Sequence, residues 1–151
     1  MRAVVFPVLL AGLVAACGQA PADCLPTVED GWIRAAPPGM PMAAGFGRIV
    51  NACDAPVSVT GATSVSYGDV SLHETTDVDG VSRMRHVEAL EVPAGGEAVL
   101  APGTYHLMLS EPAGDHAPGD TVAIDLALGD GRTIRAGFEV RARPQPPTPS
   151  P

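Results

Sequence analysis

The five residues Tyr105 to Leu109, "YHLML", alternate in character at every step. In an extended strand Tyr105, Leu107 and Leu109 face one way and His106 and Met108 the other, with the Cα atoms of the latter two about 7 Å apart. An imidazole and a thioether side by side on the face away from the core have two uses. They serve as a surface hydrogen-bonding group and an adaptable filler, or they converge on a soft metal ion, for which nitrogen and neutral sulfur are suitable donors. A second pair of the same kind lies upstream. In "SLHETTDVDGVSRM" His73 ends one β-rich run and Met84 falls in the next, so the two can meet across the turn-rich "TTDVDG".

Together the four positions read H-x10-M-x21-H-x-M. This spacing resembles the signature of the periplasmic copper chaperone family known as PCuAC, and His73, Met84, His106 and Met108 match its four positions without a gap. With five Met and four His in 151 residues, a chance match from any His has a probability of roughly one in ten thousand. The resemblance extends to "GWIRAAPPGMPMAAGFGRIVN" and "LEVPAGGEAVLAPGTYHLML" and covers the chain from about Gly31 to Val140. It implies that the four side chains hold one Cu(I) per chain and that the fold is a cupredoxin-like Greek-key β-sandwich or barrel. It also implies delivery of copper outside the cytoplasm to an acceptor such as the CuA site of cytochrome c oxidase, with oxidase subunit II and a Sco-type copper protein as partners.

The chemistry of the donors agrees with that ion. Two thioethers and two imidazoles suit monovalent copper, whereas zinc asks for thiolate, imidazole or carboxylate and calcium for oxygen. Thioethers also persist in an oxidising compartment, where free thiolates are lost to disulfides. Copper buffering or resistance without a dedicated acceptor is the alternative within this chemistry; a metal-free β-sandwich interaction module is the alternative outside it. A blue-copper electron carrier would need a Cys thiolate beside its two His, and no Cys lies near the cluster in sequence. Hydrolysis has no nucleophile elbow or triad motif to support it, so the chain reads as a binding protein rather than an enzyme.

The remaining His and Met residues carry weaker signals. His86 follows Met84 by two and in a regular strand shares its face, where it could add a donor or help hold Cu(II). Met40 and Met42 in "PPGMPMAAG" form another M-x-M, for which core or loop packing is the expected role and a mobile loop bringing one of them over the metal the alternative. His116 in "GDHAPGD" reads as a loop residue and Trp32 as a core anchor.

These side chains need an all-β frame. Gly, Pro, Asn and Asp fall at short intervals along the chain and separate β-rich runs, with no helix-length periodic stretch. The expected strands are Val28 to Ala35, Ala43 to Asn51, Val57 to Val65, Val70 to Thr75, Val81 to Val87, Glu97 to Leu100, Tyr105 to Ser110, Thr121 to Leu128 and Thr133 to Val140. The last two alternate most cleanly and are joined by "GDGR", which predicts a hairpin.

The N-terminus reads as an export signal. Residues 1–16, "MRAVVFPVLLAGLVAA", combine a basic start with an apolar run too short to span a bilayer comfortably. The run ends in "LVAAC", which resembles the lipobox of bacterial lipoproteins and implies lipid on Cys17, a membrane anchor and a location in the bacterial periplasm or cell envelope. Three Cys in an exported chain leave one unpaired, and lipidation of Cys17 frees Cys24 and Cys53 to form a disulfide. The expected organisation is a signal at 1–16, a lipidated linker at 17–27, a copper-binding β domain at 28–140 and a disordered Pro-rich tail at 141–151. A formal charge of −8, with all nine basic residues Arg, argues against a nucleic-acid partner.

Overall fold

The structure is a computed structural model that describes residues 24–37 and 39–143; the leader, Cys17 and the tail beyond Arg143 lie outside the described residues. Ten strands follow in order: β1 (Thr27–Arg34), β2 (Met42–Asn51), β3 (Val57–Ser64), β4 (Tyr67–Val78), β5 (Val81–His86), β6 (Leu90–Val92), β7 (Gly96–Leu100), β8 (Tyr105–Pro112), β9 (Thr121–Leu128) and β10 (Thr133–Arg141). Among the described residues there is no helix. The pairings run β3–β4–β8–β2–β1–β10–β9 and return to β3, closing a barrel. The fold is thus all-β and cupredoxin-like, as the sequence implies. All its pairings are antiparallel except β1 with β10 and the single bridge of β7 to β8. β8 covers the first half of β2 and β7 the second. β5 hangs outside the ring, paired with β4 alone.

The alternation seen in the sequence fills the interior. Phe138, Ile33, Leu107, Leu109, Ile124 and Leu126 are fully buried, each stabilising the fold by about 1.5–3 kcal/mol relative to exposure. The β9–β10 hairpin forms in the expected register, Ile134 opposite Leu126 and Phe138 opposite Val122. Asp79 and Gly80 both take positive φ, 55° and 76°, and turn β4 into β5 between Val78 and Val81; this is the tight turn that an Asp-Gly pair favours.

Two features depart from the expected pattern. β6 was not anticipated, because three residues are too few to show a period. In β1 the register against β2 shifts between Glu29 and Trp32, with Asp30 at φ 52°. This bulge lets Val28 and Ile33, five residues apart, sit opposite the inward-facing Ile49 and Gly45. It requires close backbone approach from β2: a Cβ on Gly47 would lie 3.1 Å from Gly31 Cα and 3.2 Å from Glu29 O.

The expected bridge between Cys24 and Cys53 is formed, with Cα atoms 5.8 Å apart. It sits just beyond the C-terminal end of β2. The loop it closes is set by Asn51, a fully buried residue that sequence reasoning passed over. Its amide nitrogen donates to the carbonyls of Ala55, Val92 and Pro93, and its carbonyl oxygen accepts from the Cys53 N–H. Both polar atoms of this buried amide are thus bonded to backbone.

Candidate metal centre

The four motif residues lie on three neighbouring strands, β5, β4 and β8, and on the outer face of the barrel. The β4–β8 register puts His73 opposite His106 and Ser71 opposite Met108. The β4–β5 register puts His73 opposite His86 and Thr75 opposite Met84. With a side-chain period of two, all of these share one face, and the core faces the other way through Leu72, Leu107 and Leu109. Met84 and Met108 therefore flank the imidazole row on opposite sides, each on a strand next to β4 and diagonal to His73.

The His73 and His106 ring centroids are 6.0 Å apart, and His73 meets His86 edge-on at 5.5 Å. Met84, His106 and Met108 line one cavity of about 340 Å³ with Thr75 and Phe46, and His73 adjoins it through its contact with His106. His106 is only 7% exposed despite its outward orientation, because Phe46 packs beside it, with ring centroids 6.4 Å apart. Met84, on the projecting arm, is 56% exposed.

Hydrogen bonds fix which nitrogen each imidazole offers. His106 Nδ1 lies 3.1 Å from the Thr104 carbonyl, which can only accept, so Nδ1 carries the proton and Nε2 keeps a lone pair. At His73 the relay is longer. The Ser71 hydroxyl donates its one proton to Asp69 Oδ2 at 3.3 Å, and its oxygen accepts from His73 Nε2–H at 3.2 Å. The remaining nitrogen, His73 Nδ1, is buried with no hydrogen-bond partner. A buried lone pair without a donor is a costly arrangement unless something occupies it. A ligand imidazole whose other nitrogen is held by a hydroxyl and a carboxylate is the arrangement of metal sites generally.

Burial holds the His73 imidazolium below its ordinary pKa of 6.5; the neighbouring His106 and His86 add to this, and Asp69 opposes it. The neutral ring, which is the ligand form, is thereby favoured near neutrality. For the metal-free chain this makes stability rise with pH, because the unfolded chain binds the proton more tightly than the fold does. The contribution is complete above about pH 6.5 and is lost as the pH falls through the folded value. Urea unfolding of the apo chain should give lower stability at pH 5.5 than at pH 7.5, with a smaller difference in His73→Gln.

Other positions fall differently from expectation. Trp32 is not a core anchor. Opposite Phe46 and outside the bulge, it stacks on that ring from the outer face, with centroids 4.6 Å apart, and Arg141 lies 5.6 Å over it. Met40 and Met42 are not packed in the core, being 48% and 47% exposed. His86 shares the face of Met84 as expected. Among the described residues, however, no group of three or more His, Cys, Asp or Glu side chains could hold a metal ion, so the thioethers are indispensable to a site here. Ser71 and Asp69 support the His73 imidazole and carried no signal in the sequence beyond lying near it, and Phe46, which packs beside His106, is remote from both imidazoles in the chain.

The barrel with its outer-face row of rings is the fold of solved PCuAC domains. The chain superposes on the copper-bound PCuAC domain from PmoF2 with a TM-score of 0.63 at 21% identity, over 77% of this chain and 92% of that one. It matches the Cu(I) form of DR1885 from Deinococcus radiodurans with a TM-score of 0.64 at 30% identity, over 80% and 81% of the two chains. The chain belongs to the "Putative lipoprotein LpqE-like" family, whose model matches residues 26–140. It is 32% identical over 115 residues to the "Putative lipoprotein Lxx21020" of Leifsonia xyli subsp. xyli, covering 76% of this chain and 68% of that protein.

Proposed function

We propose that this protein binds one Cu(I) through His73 Nδ1, His106 Nε2 and the sulfurs of Met84 and Met108, and passes it to an acceptor outside the cytoplasm. The observation that carries the reading is the unpartnered, buried His73 Nδ1 on a ring 6.0 Å from that of His106, with Met84 and Met108 at neighbouring register positions on the same face. All four donors are neutral when bound, so the site holds one positive charge without burying a carboxylate. Thioether ligation at an exposed position also lets an acceptor's ligand enter as one donor leaves. The Cu(I) form of DR1885, the nearest in identity of the two structures compared, supports the choice of ion. Lipid on Cys17 would hold the domain at a membrane of the cell envelope, in keeping with the lipoprotein family. The motif's likeness to PCuAC makes the CuA site of cytochrome c oxidase subunit II, with a Sco-type helper, the proposed destination.

Titration of the chain with Cu(I) against a competing chelator should show one tightly held equivalent and an absorption-edge spectrum of mixed nitrogen and sulfur ligation. No retained copper would refute the reading. Ser71→Ala should lower Cu(I) affinity by about 10–100-fold, the usual effect of removing a partner that orients a ligand imidazole; unchanged affinity would show that the Asp69–Ser71–His73 relay is irrelevant to binding. In cells lacking the protein, an oxidase defect rescued by added copper supports delivery. Copper sensitivity with normal oxidase supports buffering instead.

A further inference from the structure

Apart from His86, which shares the face of the four-residue site, three soft or borderline donors stand outside that site among the described residues: Met40, Met42 and His116. The two methionines are about half exposed, an unfavourable placement for two flexible apolar side chains only two residues apart. The backbone puts them there by two separate devices. Met42 opens β2 opposite Ser110, on the face of Met108. Gly39, at φ 81°, precedes a residue whose N–H donates to the Pro37 carbonyl at 3.0 Å, and this turn carries Met40 back beside Met42.

The result is a thioether ridge between two cavities of about 340 Å³ each. Met40 and Met42 line both. On one side lie Met84, His106 and Met108. On the other lie Tyr67, Asp115 and His116. His116 is held in place, its ring centroid 5.1 Å from that of Tyr67 and its Nε2 3.3 Å from the Ser66 carbonyl. That carbonyl accepts only, so Nε2 carries the proton and Nδ1 keeps its lone pair. The second cavity thus offers two thioethers and one imidazole nitrogen, the same donor chemistry as the first, with the Asp115 carboxylate adding negative charge at its edge.

We propose that Met40, Met42 and His116 form a second soft-metal site, for a monovalent cation of the Cu(I) type, separated from the first by the methionine ridge and by Ala35, Ala36, Pro37 and Ala43, which line both cavities. Three such donors satisfy a soft monovalent ion without any oxygen ligand. Because the ridge faces both cavities, it gives the cargo a station on its way into or out of the four-residue site. The proposal rests on the function argued above for the identity of the ion, and the test separates the two.

Silver(I), which has the same soft preference and no redox chemistry here, would be titrated into the full chain carrying 13C-methyl methionine, with the His rings followed in the same spectra. The expected result is two equivalents. One shifts the methyls of Met84 and Met108; the other shifts those of Met40 and Met42 together with the His116 ring. In the Met40→Leu, Met42→Leu double variant the second equivalent disappears and the first remains. The second site is overturned if the double variant still takes up two ions, or if the ridge methyls stay fixed through two equivalents. It is equally overturned if all four methionines respond to a single equivalent, for the ridge then belongs to the first site. Movement of the ridge methyls without those of Met84 and Met108 would leave the second site standing and remove the first. No movement in either pair would remove both.

Discussion

Replacing Met84 and Met108 together by leucine is expected to lower Cu(I) affinity by on the order of a thousandfold or more while leaving the barrel folded. Losing a partner that merely orients a ligand costs about 10–100-fold, and each of these changes would remove a direct donor of the proposed site. The fold should not notice. Met-to-Leu exchange conserves volume and costs less than about 1.5 kcal/mol even in a core. Met84 is 56% exposed on a strand outside the ring, and Met108 lies on the outer face opposite Ser71 and Ala44. Competition against a chromophoric Cu(I) chelator would measure the loss, with apo-protein melting as the control. An affinity within threefold of the parent chain would refute the ligand assignment and favour a metal-free module.

The second large effect concerns stability and should spare metal binding. Cys24→Ala with Cys53→Ala opens a loop of 29 residues' separation, for which chain entropy predicts a loss of about 3 kcal/mol. For a domain of this size the melting temperature should fall by on the order of 10 °C. Asn51 loses by the same change the anchor of the loop it organises. Copper binding in the folded fraction should be unchanged, because the bridge lies beyond the last residue of β2 while that strand meets Met108 near its first. A melting temperature within about 2 °C of the parent would show that the Asn51 hydrogen bonds alone hold this end; lost copper binding in folded protein would contradict the separation of the two ends.

Much of this architecture was readable because it is periodic. "YHLML" separates core from site by alternation alone, "TVAIDLALGDGRTIRAGFEV" announces its hairpin, and Asp79-Gly80 marks the turn that brings Met84 toward His73. What was hidden is where period fails or partners are distant. The bulge between Glu29 and Trp32 breaks the alternation of β1, and a one-residue shift sends a side chain to the opposite face, which is why Trp32 was expected inside and stands outside. Closure of the ring by β1 with β10 joins the two ends of the domain, a contact no local pattern encodes. The protonated nitrogen of each imidazole was equally invisible, since it depends on the Thr104 carbonyl and on the Ser71 hydroxyl's choice of Asp69. His106 is buried by Phe46, a neighbour 60 positions away in the chain.

The manner in which β5 is attached divides labour within the site. Met108 lies on a strand bonded on both sides, and His73 is paired with His106 on one side and with β5 on the other, whereas Met84 rides a hairpin arm held on one side only, with the Arg85–Glu74 ion pair helping to fasten it. Such an arm opens at far lower free energy than the wall from which it projects. On the proposed ligand set, gripping the cargo would be the task of the wall, and surrendering it would begin with a single hinged finger that lifts away while the other three hold.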